Sequence, residues 1–137
     1  MEVEESRATG WVAWVLFGGI LLVLLGALHL CLGVVALVRP EFIAGDRADQ
    51  LTDLSPAAIG WIHVVLGALA LITGPALIRG LDWARAVSVG LAVLAALVNF
   101  VFLAVYPAWS VIGIGLAGLI AWAVAAHGRE VADAYGS

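Results

Sequence analysis

The chain has 137 residues, 64% of them hydrophobic and 12% charged, with a net charge of −4. A water-soluble domain averages about half apolar and about a quarter charged, so a free-standing soluble domain is excluded. A basic nucleic-acid surface is excluded too, because the six basic residues, all arginine, are scattered among ten acidic ones.

An acidic head with Glu2, Glu4 and Glu5 occupies residues 1–10. A continuous apolar run then extends from Trp11 to Val38. About 20 such residues cross the hydrocarbon of a bilayer, so this run is read as a first spanning helix with length to spare for tilt. It is not a cleaved leader, because its flank is acidic and the run is far longer than the core of a signal peptide. Cys31 is the only cysteine, which rules out a disulfide within the chain.

The segment 39–56 carries Glu41, Asp46, Asp49 and Asp53 and is expected to be a solvated acidic loop or short surface helix outside the membrane. "DRADQLTD" has neither the glycine nor the ligand spacing of a calcium loop. Ser55-Pro56 has the chemistry of a cap and first helical residue. The second span is then expected over 57–78, with Gly74-Pro75 bending it. "RGLDWAR" makes a tight turn in which Arg79, Asp82 and Arg85 are set to pair, and a third span follows over 83–105. "YPAW" turns the chain again at Pro107, and a fourth span covers 108–126, leaving 128–137 as a tail. His127 is placed at the end of this last span, where the helix dipole favours it.

The expected fold is therefore all-α: a polytopic antiparallel bundle of four transmembrane helices within residues 11–127. With both termini cytoplasmic, that side holds Arg7, Arg79, Arg85 and Arg129 and the other only Arg39 and Arg47, as the positive-inside rule prefers. Trp11, Trp14, Trp83 and Trp122 then form one aromatic belt, and Phe42, Trp61, Tyr106 and Trp109 the other.

Two matching motifs carry the functional question. "GALHLCLG" and "GWIHVVLG" both read G-x-x-H-x-x-x-G. Residues three and four apart share a helix face, so each histidine falls in a glycine stripe. The stripes are Gly19, Gly26 and Gly33 on the first helix and Gly60, Gly67 and Gly74 on the second, at seven-residue spacing. Small residues let backbones approach closely where lipid supplies no hydrophobic drive, so these helices are expected to pack along their glycines, with each histidine bonded in the seam.

Depth suggests a wider cluster. At about 1.5 Å per residue, His29 lies roughly 15 Å from the Arg39 end, His63 roughly 10 Å from Pro56 and Asn99 roughly 10 Å from Tyr106. The three meet at one level of the outer leaflet, below Tyr106 and Ser110. Polar groups at that depth face the protein interior, paired or lining a cavity. The bland use is a polar lock that fixes helix register in a non-enzymatic scaffold or partner- or lipid-binding protein. The alternative is an outward-opening pocket for a small ligand or a proton, built from His29, His63 and Asn99. No cofactor is expected, although the two histidines also suit a metal or haem iron. No nucleophile–base set for catalysis is visible. Gly113, Gly115 and Gly118 are left to pack within the bundle or against another subunit.

"GW" at Gly10, "GWIHVVLG", "LIRGLDWAR" and "NFVFLAVYPAWS" together resemble a group of small actinobacterial four-helix membrane proteins classed as a domain of unknown function. The resemblance covers Gly10 to Gly128 and implies four spans in a bacterial plasma membrane. It draws attention to His63, Asn99, Tyr106, Pro107 and Trp109, and it implies no activity. Expected partners are the bilayer and either a second copy or another membrane protein.

Overall fold

The structure is a computed structural model that describes residues 10–42, 54–104 and 107–135. Four helices account for nearly all of them: α1 (Trp11–Val38), α2 (Pro56–Ile78), α3 (Asp82–Val101) and α4 (Pro107–Tyr135). Short 3-10 turns follow α1 at Pro40–Phe42 and α3 at Phe102–Ala104. Among the described residues there is no strand, and all four helices are long and apolar enough to cross a membrane. The expected all-α class with four candidate spans is what the structure has. The acidic segment around Asp46, Asp49 and Asp53 lies outside the described residues, as do Tyr106 and the side chains of Phe42 and Trp109.

The helix boundaries follow from local chemistry. Ser55 Oγ accepts the Ala58 N–H at 3.2 Å, so α2 is capped where its sequence suggests. Pro75 sits inside α2, and the helix continues past it to Ile78. The end of α2 is a Schellman motif: Leu81 N–H donates to Ala76 at 3.0 Å and Gly80 N–H to Leu77 at 2.9 Å. Gly80 takes the left-handed φ of 75° that this closure requires. Asp82 then opens α3, where a carboxylate meets the positive end of the helix. At the other turn α3 tightens into its 3-10 segment, and Pro107 occupies the first position of α4.

Helix α4 extends beyond the residues 108–126 expected to span the membrane. It does not stop near His127 but continues for two more turns to Tyr135. The extension is held by packing: Val131 is fully buried, and the bare Cα of Gly80 lies against Ala132.

The chain divides into two compact units. One contains the residues up to Leu21 and from Thr73 onward, and hence the first turns of α1, the end of α2, and α3 with α4. The other is Leu22–Ile72, the second part of α1 with the first part of α2. In the larger unit the core includes Val12, Val15, Leu77, Ala84, Ala123, Val124 and Val131; all but Leu77 are alanine or valine, small side chains that allow close helix approach. Outward-facing positions are apolar in both units. Leu24, Val65, Ile72, Phe100, Val101, Ile112 and Trp122 are each 61% exposed or more, a surface suited to acyl chains and not to water.

Candidate functional site

The histidine motifs meet within the Leu22–Ile72 unit. Glycines bring α1 and α2 together there at two levels, and the contacts are reciprocal. A Cβ added to Gly26 would lie 2.9 Å from the Gly67 carbonyl oxygen, and one added to Gly67 would lie 2.7 Å from that of Gly26. Gly33 and Gly60 repeat the arrangement at 2.7 and 3.1 Å. No side chain fits at these crossings, and the exposed Cα–H groups are placed for weak hydrogen bonds to the opposite carbonyls. Gly19 and Gly74 approach similarly in the larger unit, where a Cβ on Gly19 would lie 3.1 Å from the Gly74 oxygen. All six glycines of the two stripes therefore lie where α1 and α2 run, and five of them leave no room for a Cβ beside the other helix.

Between the two crossings of the smaller unit lie the imidazoles. The rings of His29 and His63 have centroids 5.2 Å apart and planes tilted by 59°. Both side chains are half-buried. His63 Nδ1 lies 2.9 Å from the Ile59 carbonyl oxygen, one turn back on its own helix. Only a protonated ring nitrogen can donate to a carbonyl, so the neutral His63 ring carries its hydrogen on Nδ1 and leaves Nε2 as a lone pair. His29 is different. Its Nδ1 is buried and has no hydrogen-bond partner. The seam thus positions the two histidines side by side without a bond to satisfy the first of them. The close glycine–carbonyl contacts at the two crossings involve no imidazole.

The other expected members belong to the larger unit. Asn99 Nδ2 donates to the Ala95 carbonyl on its own helix at 2.9 Å, and the carboxamide lies over the bare Cα of Gly113 on α4. Ser110 is buried, 1% exposed, in the first turn of α4. Tyr106 lies outside the described residues. The structure brings together His29 and His63, and it gives Asn99 a packing role on α4. Among the described residues no three of His, Cys, Asp and Glu gather as a metal would need for a full protein ligand set. Cys31 is free and exposed.

Two arrangements in the larger unit escaped sequence reading. Trp11 and His127, expected as separate interfacial anchors, stack face to face with centroids 5.1 Å apart and planes within 5°. His127 Nδ1 also lies 2.6 Å from Glu130 Oε1. Arg85 pairs with Asp82 at 2.8 Å, as its spacing suggests, but its stem also lies across Gly128 on α4, where a Cβ would be 2.9 Å from Arg85 Cδ. Arg85 Nε and Ser88 Oγ, both on α3, are buried without partners. Gly128 beside an arginine was the signal available, but only the docked helices show which arginine it receives.

Four helices of this length, apolar on their exposed sides, define a multi-pass membrane protein. Within that class the chain belongs to a family described as a domain of unknown function (DUF7144), whose model matches residues 14–129. The match takes in both histidines, all six stripe glycines, Asn99 and His127. No curated protein and no solved structure matches the chain.

Proposed function

We propose that this chain is a non-enzymatic membrane protein that holds a small ligand or a proton at the His29–His63 pair. The observation that carries the reading is the buried, unpartnered Nδ1 of His29 beside a second imidazole. An unsatisfied buried polar atom costs about 1–3 kcal/mol, and an ionisable side chain within a membrane span, here beside a second one, marks a candidate functional site. A polar lock would instead use both imidazoles in bonds across the seam, and the glycine contacts at the crossings involve neither. Asn99, bonded to Ala95, and the buried Ser110 belong to the other unit, and the reading does not draw on them. The arginine distribution supports an orientation with both termini cytoplasmic, in which the pair would lie in the outer half of the bilayer, and the sequence resemblance supports a bacterial plasma membrane.

A scaffold role is the second reading. It is supported by Gly115 and Gly118, which face open space on the exposed side of α4, where small residues favour a neighbouring helix from a second copy or another membrane protein.

Thermal unfolding of His29→Leu and His63→Leu in detergent separates site from lock. For a site, His29→Leu is as stable as the native chain or more so, because an orphaned polar atom is replaced by an apolar group. Loss of stability by about 1 kcal/mol or more in both variants would return the pair to a structural role.

A further inference from the structure

The geometry of the pair points to a narrower class of occupant. We propose that His63 Nε2 and His29 Nδ1 together bind one monovalent copper ion, Cu(I); the assignment rests on the binding-site reading above and specifies its ligand. The first support is the hydrogen bond from His63 Nδ1 to the Ile59 carbonyl at 2.9 Å. Metal-ligating histidines characteristically donate their other ring nitrogen in this way, which fixes the tautomer and the ring orientation. The second is that His29 Nδ1 is buried with nothing to satisfy it. The third is spacing. With metal–nitrogen bonds of about 2.0 Å, two imidazoles on one ion have centroids roughly 5 to 5.5 Å apart at tetrahedral to trigonal angles, and over about 6 Å when opposed. The observed separation is 5.2 Å.

The same distance disfavours a haem, whose two axial imidazoles stand on opposite sides of the iron. Nor does the seam widen easily to admit one. His29 lies three residues after Gly26 and four before Gly33, so the backbone crossings bracket it within a turn on either side.

Charge and ligand type select the ion. Both donors are neutral nitrogens, which suit copper and its neighbours; calcium and magnesium require oxygen ligands. Among the described residues no carboxylate joins the pair to neutralise a divalent ion. The solvation cost of bringing an ion into a low-dielectric site rises with the square of its charge, so a monovalent ion is favoured. A closed-shell monovalent copper ion accepts two nitrogens with one exogenous donor completing the set. Cys31 is a separate competitor: it is exposed and, two residues from His29, faces another side of α1.

The test uses the full chain in detergent with Cys31→Ser to remove the thiol. It is titrated with Ag(I), a redox-inert analogue, and with Cu(I) kept reduced by ascorbate, and bound metal is counted after desalting. The expected result is one ion per chain, affinity at least tenfold lower in His29→Leu and in His63→Leu, and Zn(II) at least tenfold weaker than Cu(I). In ¹⁵N-histidine spectra Ag(I) should shift His63 Nε2 and His29 Nδ1 and leave His127 in place, a readout that needs no replacement at the site. Absence of stoichiometric binding in Cys31→Ser, binding that survives both leucine variants, or an equal shift at His127 overturns the copper assignment. If metal fails while His29→Leu stays fully stable, only this assignment falls; if both leucine variants lose stability, the binding-site reading falls with it.

Discussion

Gly33 on α1 and Gly60 on α2 face each other so closely that each bare Cα lies against the other's carbonyl. A Cβ on the first would sit 2.7 Å from the Gly60 oxygen, and one on the second 3.1 Å from that of Gly33. One heptad away along each helix, Gly26 and Gly67 do the same. These two crossings determine where His29 and His63 can be, because between them the helix axes have no freedom to separate.

Adding a methyl group at a crossing should force the helices apart. For Gly67→Ala the obstructing atom is the Leu30 backbone nitrogen, 2.6 Å from the new Cβ, and backbone cannot rotate away. A loss of about 1–3 kcal/mol is expected in reversible detergent or urea unfolding. Gly18→Ala should be milder, since its Cβ meets a side-chain methyl, Ile120 Cγ2 at 2.9 Å. Gly115→Ala and Gly118→Ala meet nothing within 4 Å and should be neutral or stabilising by up to about 1 kcal/mol through helix propensity. Equal losses at Gly67 and Gly115 would contradict the crossing geometry.

Gly80 combines a left-handed φ with a close neighbour, and the two requirements are separable. Asparagine tolerates that φ better than alanine does. A Cβ of either residue would nevertheless lie 2.6 Å from Ala132 Cα. Gly80→Ala and Gly80→Asn should therefore lose similar stability, on the order of 1–3 kcal/mol, in the same unfolding measurement. Recovery by asparagine would mean that α4 does not press on this turn.

The Trp11–His127 stack ties the start of α1 to α4. A double-mutant cycle with Trp11→Ala and His127→Ala should give a coupling of about 0.5–1.5 kcal/mol. His127→Phe should keep most of it, because the flat contact at 5.1 Å depends on ring faces. Tryptophan fluorescence gives a second check: quenching at Trp11 should be relieved by His127→Ala and by no change at the exposed Trp122. A coupling indistinguishable from zero would remove the stack as an anchor.

Arg85 should matter more for its stem than for its charge. Its partner Asp82 has a side chain 91% exposed, and ion pairs in water contribute little. Asp82→Ala is expected to change stability by about 0.5 kcal/mol at most. Arg85→Met keeps the methylenes across Gly128 and discards an unpartnered buried Nε, whereas Arg85→Ala opens a gap beside α4. Unfolding should rank Arg85→Met above Arg85→Ala; the reverse order would make the charge the important feature.

Continuous apolar runs, proline and serine at helix starts, and Gly80 in a charged turn were sufficient to locate four helices. Each is a local effect, governed by hydrocarbon thickness or by the few backbone groups at a helix end, and needs no knowledge of neighbours. The heptad spacing of Gly19, Gly26 and Gly33 likewise exposes a helix face before any partner is known. Partnership is another matter. That His63 bonds its own Ile59 carbonyl is a local event within one helix, whereas whether His29 Nδ1 meets a partner depends on what the docked α2 brings beside it. Asn99 bonds Ala95 on its own helix and packs on Gly113 of α4, a contact that counting depth along the chain does not reveal. The continuation of α4 past His127 also came from docking: an amphiphilic tail with ordinary local propensity is held helical by the turn it buries. Sequence alone determined which segments are helical and apolar, through short-range and solvent terms; tertiary packing decided which side chains meet across helices, because that depends on how the helices dock.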